Sequence, residues 1–453
     1  MVESGVDDLA ALDRDVARAV EQIERWRQDL RRDPEDRRTH DPFEDVRRAS
    51  AKSTRDALGD FTPSAADIPW RDALMQWVAV LLQARLGLAD DLERERETVA
   101  PRGRFNGTPA RLVSWRDAWR GIVAARTTGE AGRWLDAACE AVSSLPALGR
   151  KSATRRVEIA RRMGFAHPWE ITVPVSHAVL RSAAVRLLDV TEDLSIAVRR
   201  EMGPGAVGVA ATLHHATARE AGDGWPARLS PRWLEEMFGA LASGMPIRLP
   251  PLAPALGASS FARALYEFGF AVRIGATPST LAFALARDPA SVGAHRHGFV
   301  FGSLPSDLEF QRQELGLGRR VAAAQARLLA RTALLDVRIQ AARILLGDDS
   351  APAPTDQFDE IGVRLFGVRL DRRLRGAWPL ARDDEPGRLV ALLQAPSLRD
   401  TLRNRFDIDW FRNPAAWAHL RAQGAAPARE PIDGSALAPS AESLGRAFEE
   451  ALG

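Results

Sequence analysis

The chain has 453 residues, more than one hydrophobic core usually spans, and an apolar share of 45% that is ample for burial, so two or more packed globular lobes are expected. Its 62 arginines and lysines nearly cancel its 60 aspartates and glutamates, and lysine occurs only at Lys52 and Lys151. Acids alternate with arginines, as in Glu93-Arg94-Glu95-Arg96-Glu97, which marks solvated helix faces and argues against a nucleic-acid partner.

Cys139 stands alone, which removes an intrachain disulfide and a cysteine-based zinc site. Met1 to Leu12 is acidic and lacks the basic and apolar regions of a secretory leader, and no run reaches the length of a membrane span. A cytoplasmic protein with no membrane partner is expected.

Apolar residues recur at helical spacing over 7–31, from Leu9 to Trp26, and predict an amphipathic helix. A second is expected over 43–59. Pro69-Trp70 opens a third, which ends near Pro101. Helices over 109–126 and 129–144 follow, with Trp70, Trp77, Trp115, Trp119 and Trp134 read as packing residues. The turn-rich Met163 to Trp169 suggests a boundary, giving an N-terminal helical lobe over 1–165 and a second lobe over 166–453. Helices are then expected over 176–202 and from Ser230. In Val207 to Glu220, His214 and His215 point about 100° apart, so one buried and one exposed imidazole is the plain expectation.

Prolines hold Gly244 to Pro251 extended. A short helix capped by Thr277 to Thr280 runs to about 287, another covers 291–315, and an alanine-rich one covers 318–346. After a polar connection over 347–356 the chain is helical again, broken at Pro379, Pro386, Pro396 and Pro414, with Asp433 to Pro439 as a loose linker before a last helix. Nothing alternates long enough to demand a sheet, so the fold class is all-α with little or no sheet.

One stretch carries chemistry in its pattern. Ser259 to Val272 is an apolar helix whose centre reads Tyr266-Glu267-Phe268-Gly269-Phe270. A zinc peptidase places His-Glu-x-x-His there, two imidazoles sharing one helix face with the glutamate as general base. Here the glutamate stands between a phenol and a phenyl ring, neither of which replaces imidazole on Zn²⁺.

With the residues that follow, this stretch resembles the thimet oligopeptidase and oligoendopeptidase F group of gluzincin-type zinc peptidases. Their second ligand helix carries Phe-Leu-Phe-Glu, then an Asp-Pro-x-Phe-Leu segment and Leu-Gly-Leu. The chain has Phe299-Val300-Phe301-Gly302, then Asp307-Leu308-Glu309-Phe310, then Leu315-Gly316-Leu317. The long alanine-rich helix and Asp409 to Pro414 extend the resemblance, which covers roughly 230–425.

The resemblance implies a two-lobed, largely helical oligopeptidase-like architecture. It assigns a first metal ligand to Tyr266, the general base to Glu267, a second ligand to Phe270 and a third to Gly302. Glu267 alone keeps its chemistry, so zinc is expected to be lost and Glu267 to be a vestigial base. Its plainer role is a salt bridge to Arg263 or Arg273. A relocated metal site would use His295 and His297, which chelate together only if their segment is extended. Tyr266 is the one tyrosine of the chain, so no second phenol can stabilise an oxyanion.

These residues predict a non-catalytic, metallopeptidase-like protein that binds a peptide or protein partner in an inter-lobe cleft. The alternatives are an active zinc metallopeptidase with atypical ligands and a helical regulatory or scaffold protein.

Overall fold

The computed structural model describes residues 3–33, 41–99, 102–143, 148–203, 205, 207–252, 254–347, 354–375, 378, 384–427 and 431–453. Glu3–Arg32 (α1) buries the stripe of Leu9, Leu12, Val16 and Ile23 that its periodicity marks. The 43–59 segment is not one helix. A 3-10 turn over Glu44–Ser50 precedes Lys52–Asp60 (α2), with Ala51 extended between them. Ile68–Val99 (α3) packs Trp77, Val78 and Leu81 into the cluster that holds the α1 stripe.

Arg102–Phe105 (β1) and Arg111–Ser114 (β2) pair as an antiparallel hairpin, so the helix expected from 109 begins only after the second strand. Four-residue strands are too short to show an alternating pattern. Gly103 lets the hairpin lie against the next helices, since a Cβ there would stand 1.8 Å from the Ala137 carbonyl oxygen. Trp115–Ala124 (α4), Thr128–Val142 (α5) and Leu148–Arg162 (α6) follow, the first two capped by Ser114 and Thr127.

His177–Val190 (α7) and Glu192–Met202 (α8) divide the helix expected over 176–202. The division has a partner: Arg338 donates to the Leu188 carbonyl at 2.9 Å and to the Thr191 hydroxyl at 2.7 Å. Val209–His215 (α9) leaves His214 and His215 both half-buried, contrary to the expectation of one buried and one exposed ring. Pro231–Phe238 (α10) and Ser259–Gly275 (α11) flank the extended segment that the prolines impose. The helix expected to 287 is confined to Phe283–Ala286 (α12).

The 291–315 segment is three pieces: Val292–Gly302 (α13), a 3-10 turn at Leu304–Ser306, and Leu308–Gln313 (α14), which Asp307 caps after Pro305 interrupts the chain. Arg319–Leu346 (α15) matches its alanine-rich pattern. Thr355–Phe366 (α16), Glu385–Phe406 (α17), Pro414–Ala425 (α18) and Leu437–Leu452 (α19) complete the fold. Pro386 and Pro414 open helices as expected, but Pro396 lies inside α17. Pro379 falls outside the described residues. Pro439 belongs to α19, so the expected linker closes after a 3-10 turn at Gly434–Ala436.

The described residues are mainly helical, with the hairpin as their sheet. The largest buried cluster joins Trp115, Trp134, Leu180 and Leu187 to Leu334, Phe366, Leu389 and Leu444, so segments on both sides of position 165 share a core. A second cluster, rich in aromatic rings, packs Phe238, Phe268, Phe301, Trp410 and Trp417 around α11, α13 and α18. No helix among the described residues is long and apolar enough to cross a membrane.

Candidate functional site

Glycines set the site's geometry by letting α11 and α13 come close. A Cβ on Gly269 would stand 2.6 Å from the His297 carbonyl oxygen, and one on Gly298 would stand 2.9 Å from the Tyr266 ring. Gly302, one turn beyond Gly298, leaves only 3.1 Å between such an atom and Tyr266 Cβ. The phenol ring therefore lies over the bare backbone of Gly298, with the Tyr266 Cβ beside Gly302. A side chain at 302 would press on the Cβ and backbone of position 266.

Tyr266 is buried and its hydroxyl is committed. It lies 2.5 Å from His295 Nδ1 and accepts from Arg388 Nη1 at 2.8 Å. Arginine can only donate, so the phenol oxygen accepts from Arg388; the Tyr266–His295 bond can run in either direction with the imidazole tautomer, and the second ring nitrogen of His295 is Nε2. That nitrogen faces the Asp384 carboxylate at 3.6 Å. Burial pushes the Tyr266 phenol up to about 12, against the pull of Arg388 and Arg263, so it stays protonated at physiological pH.

Phe270 packs its ring 5.0 Å from that of His295. The structure thus gathers Tyr266, Phe270, Gly302 and His295 at one crossing. Glu267 forms an ion pair with Arg263 one turn earlier. His297 follows His295 two residues on along the same helix, with its backbone at the crossing. Its segment is helical, so the extended backbone that would let His295 and His297 chelate together is not present. His297 Nδ1 bonds the Gly293 carbonyl at 2.9 Å, and burial, with Arg296 and Arg273 nearby, pushes its pKa down to about 3.

These side chains do not fit a zinc site. A hydrogen-bonded, protonated phenol, a phenyl ring and a glycine offer no set of converging donors, and His295 Nδ1 is engaged with the Tyr266 hydroxyl. No group of three histidine, cysteine or carboxylate side chains among the described residues is arranged to hold a metal.

Beside the crossing is a cavity of about 410 Å³, lined by α11, α13, α15, α17 and α19 and open on one side to solvent. Tyr266 and Gly302 reach its wall, while neither His295 nor His297 does. All its lining residues fall between Ser259 and Phe448. The cavity therefore lies within the 166–453 segment, whereas the sequence had placed a cleft between the lobes.

Its polar lining comes largely from residues that the motif comparison passed over: Asp336, Gln340 and Arg343 of α15, and Arg388 and Arg399 of α17. One signal was visible in the sequence. Asp336 is the sole acid of α15, a helix that carries six arginines. Its carboxylate opens into the cavity while protein surrounds it, and burial pushes its pKa up to about 6 despite Arg263, Arg388 and Arg343 nearby.

No protein-family model and no curated protein matches the sequence. Among solved structures, the chain is similar to a crystal structure from Bacillus anthracis str. Ames that is named as an oligoendopeptidase F, with a TM-score of 0.49 and 10% identity, over 97% of this chain and 96% of that one.

Proposed function

We propose that the chain is a non-catalytic, peptidase-like protein that holds a peptide or a partner's peptide segment in the cavity beside the α11–α13 crossing. The carrying observation is the state of Tyr266. Where the resemblance assigns a first metal ligand, the chain has a protonated phenol bonded to His295 and Arg388, with Phe270 and Gly302 at the other two ligand positions.

A zinc peptidase works near neutral pH because its metal activates water and polarises the scissile carbonyl. Glu267 by itself supplies neither effect, and its pairing with Arg263 gives it an ordinary structural role. The cavity has the size and mixed lining of a small-molecule or peptide site, apolar walls with a few convergent polar groups.

Fluorescently labelled short peptides, incubated with the purified protein and supplied zinc, test the reading. Binding without cleavage is expected. Chelator-sensitive cleavage that Glu267→Gln abolishes would instead establish an active metallopeptidase with atypical ligands.

A further inference from the structure

The cavity's charges name the group it takes. Four guanidiniums line it, and each has a carboxylate partner: Arg263 with Glu267, Arg343 with Glu385 at 3.0 Å, Arg388 with Asp384 at 4.0 Å, and Arg399 with Asp400 at 3.5 Å. Those pairs cancel among the described residues. Asp336 is left over, a solvent-accessible carboxylate that opens into the cavity and makes no hydrogen bond or ion pair among the described residues, with Arg263, Arg343 and Arg388 as its nearest charges. Gln340 cannot serve it, because its amide nitrogen donates to Glu385 and its oxygen accepts from Arg388 at 3.4 Å.

The carboxylate is accessible from the cavity, so a ligand's cation can reach it without breaking a contact the described residues make with each other. The remaining walls, with Leu329, Val337, Leu392, Leu444 and Phe448, are apolar. The geometry points to a ligand with a protonated amine on an apolar body, its ammonium on the Asp336 carboxylate and its hydrocarbon against those walls. A peptide's free amino terminus and a simple arylalkylamine share this chemistry. The assignment rests on reading the cavity as a binding site, and it adds the charge that the ligand must carry.

The same arrangement sets a pH window. Arg263 of α11, Arg343 of α15 and Arg388 of α17 are the charges that act on Asp336 and oppose the rise of its pKa, while Tyr266 of α11 and Arg399 of α17 share the cavity wall with it. Asp336 gains its proton as pH falls through about 6, and amine affinity falls with it.

Calorimetric titration of the full chain with 2-phenylethylamine, 2-phenylethanol, leucyl-phenylalanine and its N-acetyl derivative tests the assignment. Each free amine is expected to bind about tenfold or more tightly than its neutral counterpart, as a charge-assisted contact allows. Asp336→Asn should erase that preference and Asp336→Glu should retain part of it, with thermal melting of each variant checking the fold. A preference for the dipeptide over 2-phenylethylamine would identify an amino terminus as the source, and the reverse a simple amine. Absence of binding by either amine, or a preference that survives in Asp336→Asn, overturns the assignment. Zinc-dependent cleavage of peptides would sink the non-catalytic reading while leaving the amine result standing.

Discussion

Tyr266 and Asp336 face one cavity and differ in what the protein gives them. Tyr266 has its hydroxyl satisfied on both sides by His295 and Arg388. Its removal strands a buried imidazole nitrogen and weakens the hold on Arg388, so Tyr266→Phe should cost about 1–3 kcal/mol in urea denaturation. An unchanged midpoint would mean that this hydrogen-bond chain contributes nothing to the fold. Asp336 is the opposite case. Its folded pKa of about 6 lies above the ordinary 3.8, so the folded state binds the extra proton between those values. Stability from this group is therefore greatest at the acid end and is lost as pH rises through about 6. Asp336→Asn should melt higher than the wild type at pH 7 to 8, and the gap should close toward pH 4. A gap that widens on acidification would contradict the assigned burial.

At the scale of elements, the α11–α13 crossing depends on missing side chains. Gly269→Ala or Gly298→Ala places a Cβ against the His297 carbonyl or the Tyr266 ring and should destabilise by about 1–3 kcal/mol. Gly59→Ala on α2, where a Cβ meets nothing within 4 Å, should instead stabilise by about 0.5–1 kcal/mol. Equal effects at the three positions would remove the case for close approach.

Elements were legible where their cause was local. The stripe on α1 and the alanine-rich run of α15 predicted those helices closely, because periodicity and propensity act within the segment itself. Breaks caused from a distance were not legible. The α7–α8 division follows Arg338, which lies far along the chain, and the β1–β2 hairpin depends on Gly103 meeting α5. Pro396 misled in the other direction, since a helix walled in by neighbours tolerates a missing N–H that an isolated one does not. At the site, spacing within one motif brought Tyr266, Glu267 and Phe270 to notice. Asp336, Asp384 and Arg388 join them only through tertiary packing.

Across the whole molecule, contacts between remote segments hold the layers together. Asp13 on α1 accepts from Trp70 Nε1 at 3.1 Å and from the backbone N–H groups of Phe283 and Ala284 at 2.7 and 2.9 Å, fastening the first helix to the short α12. That anchor sits one loop from α13, so the N-terminal layer borders the site without lining the cavity. Lengthwise, the mainly helical class followed from composition and periodicity, whereas the cavity's place within 166–453 depended on how α15, α17 and α19 close around α11.

The most direct test of a metal-free binding protein is zinc stoichiometry after equilibrium dialysis at neutral pH, measured on the wild type and on Tyr266→His/Phe270→His/Gly302→Glu. The wild type is predicted to hold no stoichiometric zinc, while the triple variant, supplied with two imidazoles and a carboxylate at the crossing, gains affinity for it. One tightly held zinc per wild-type chain would contradict the account.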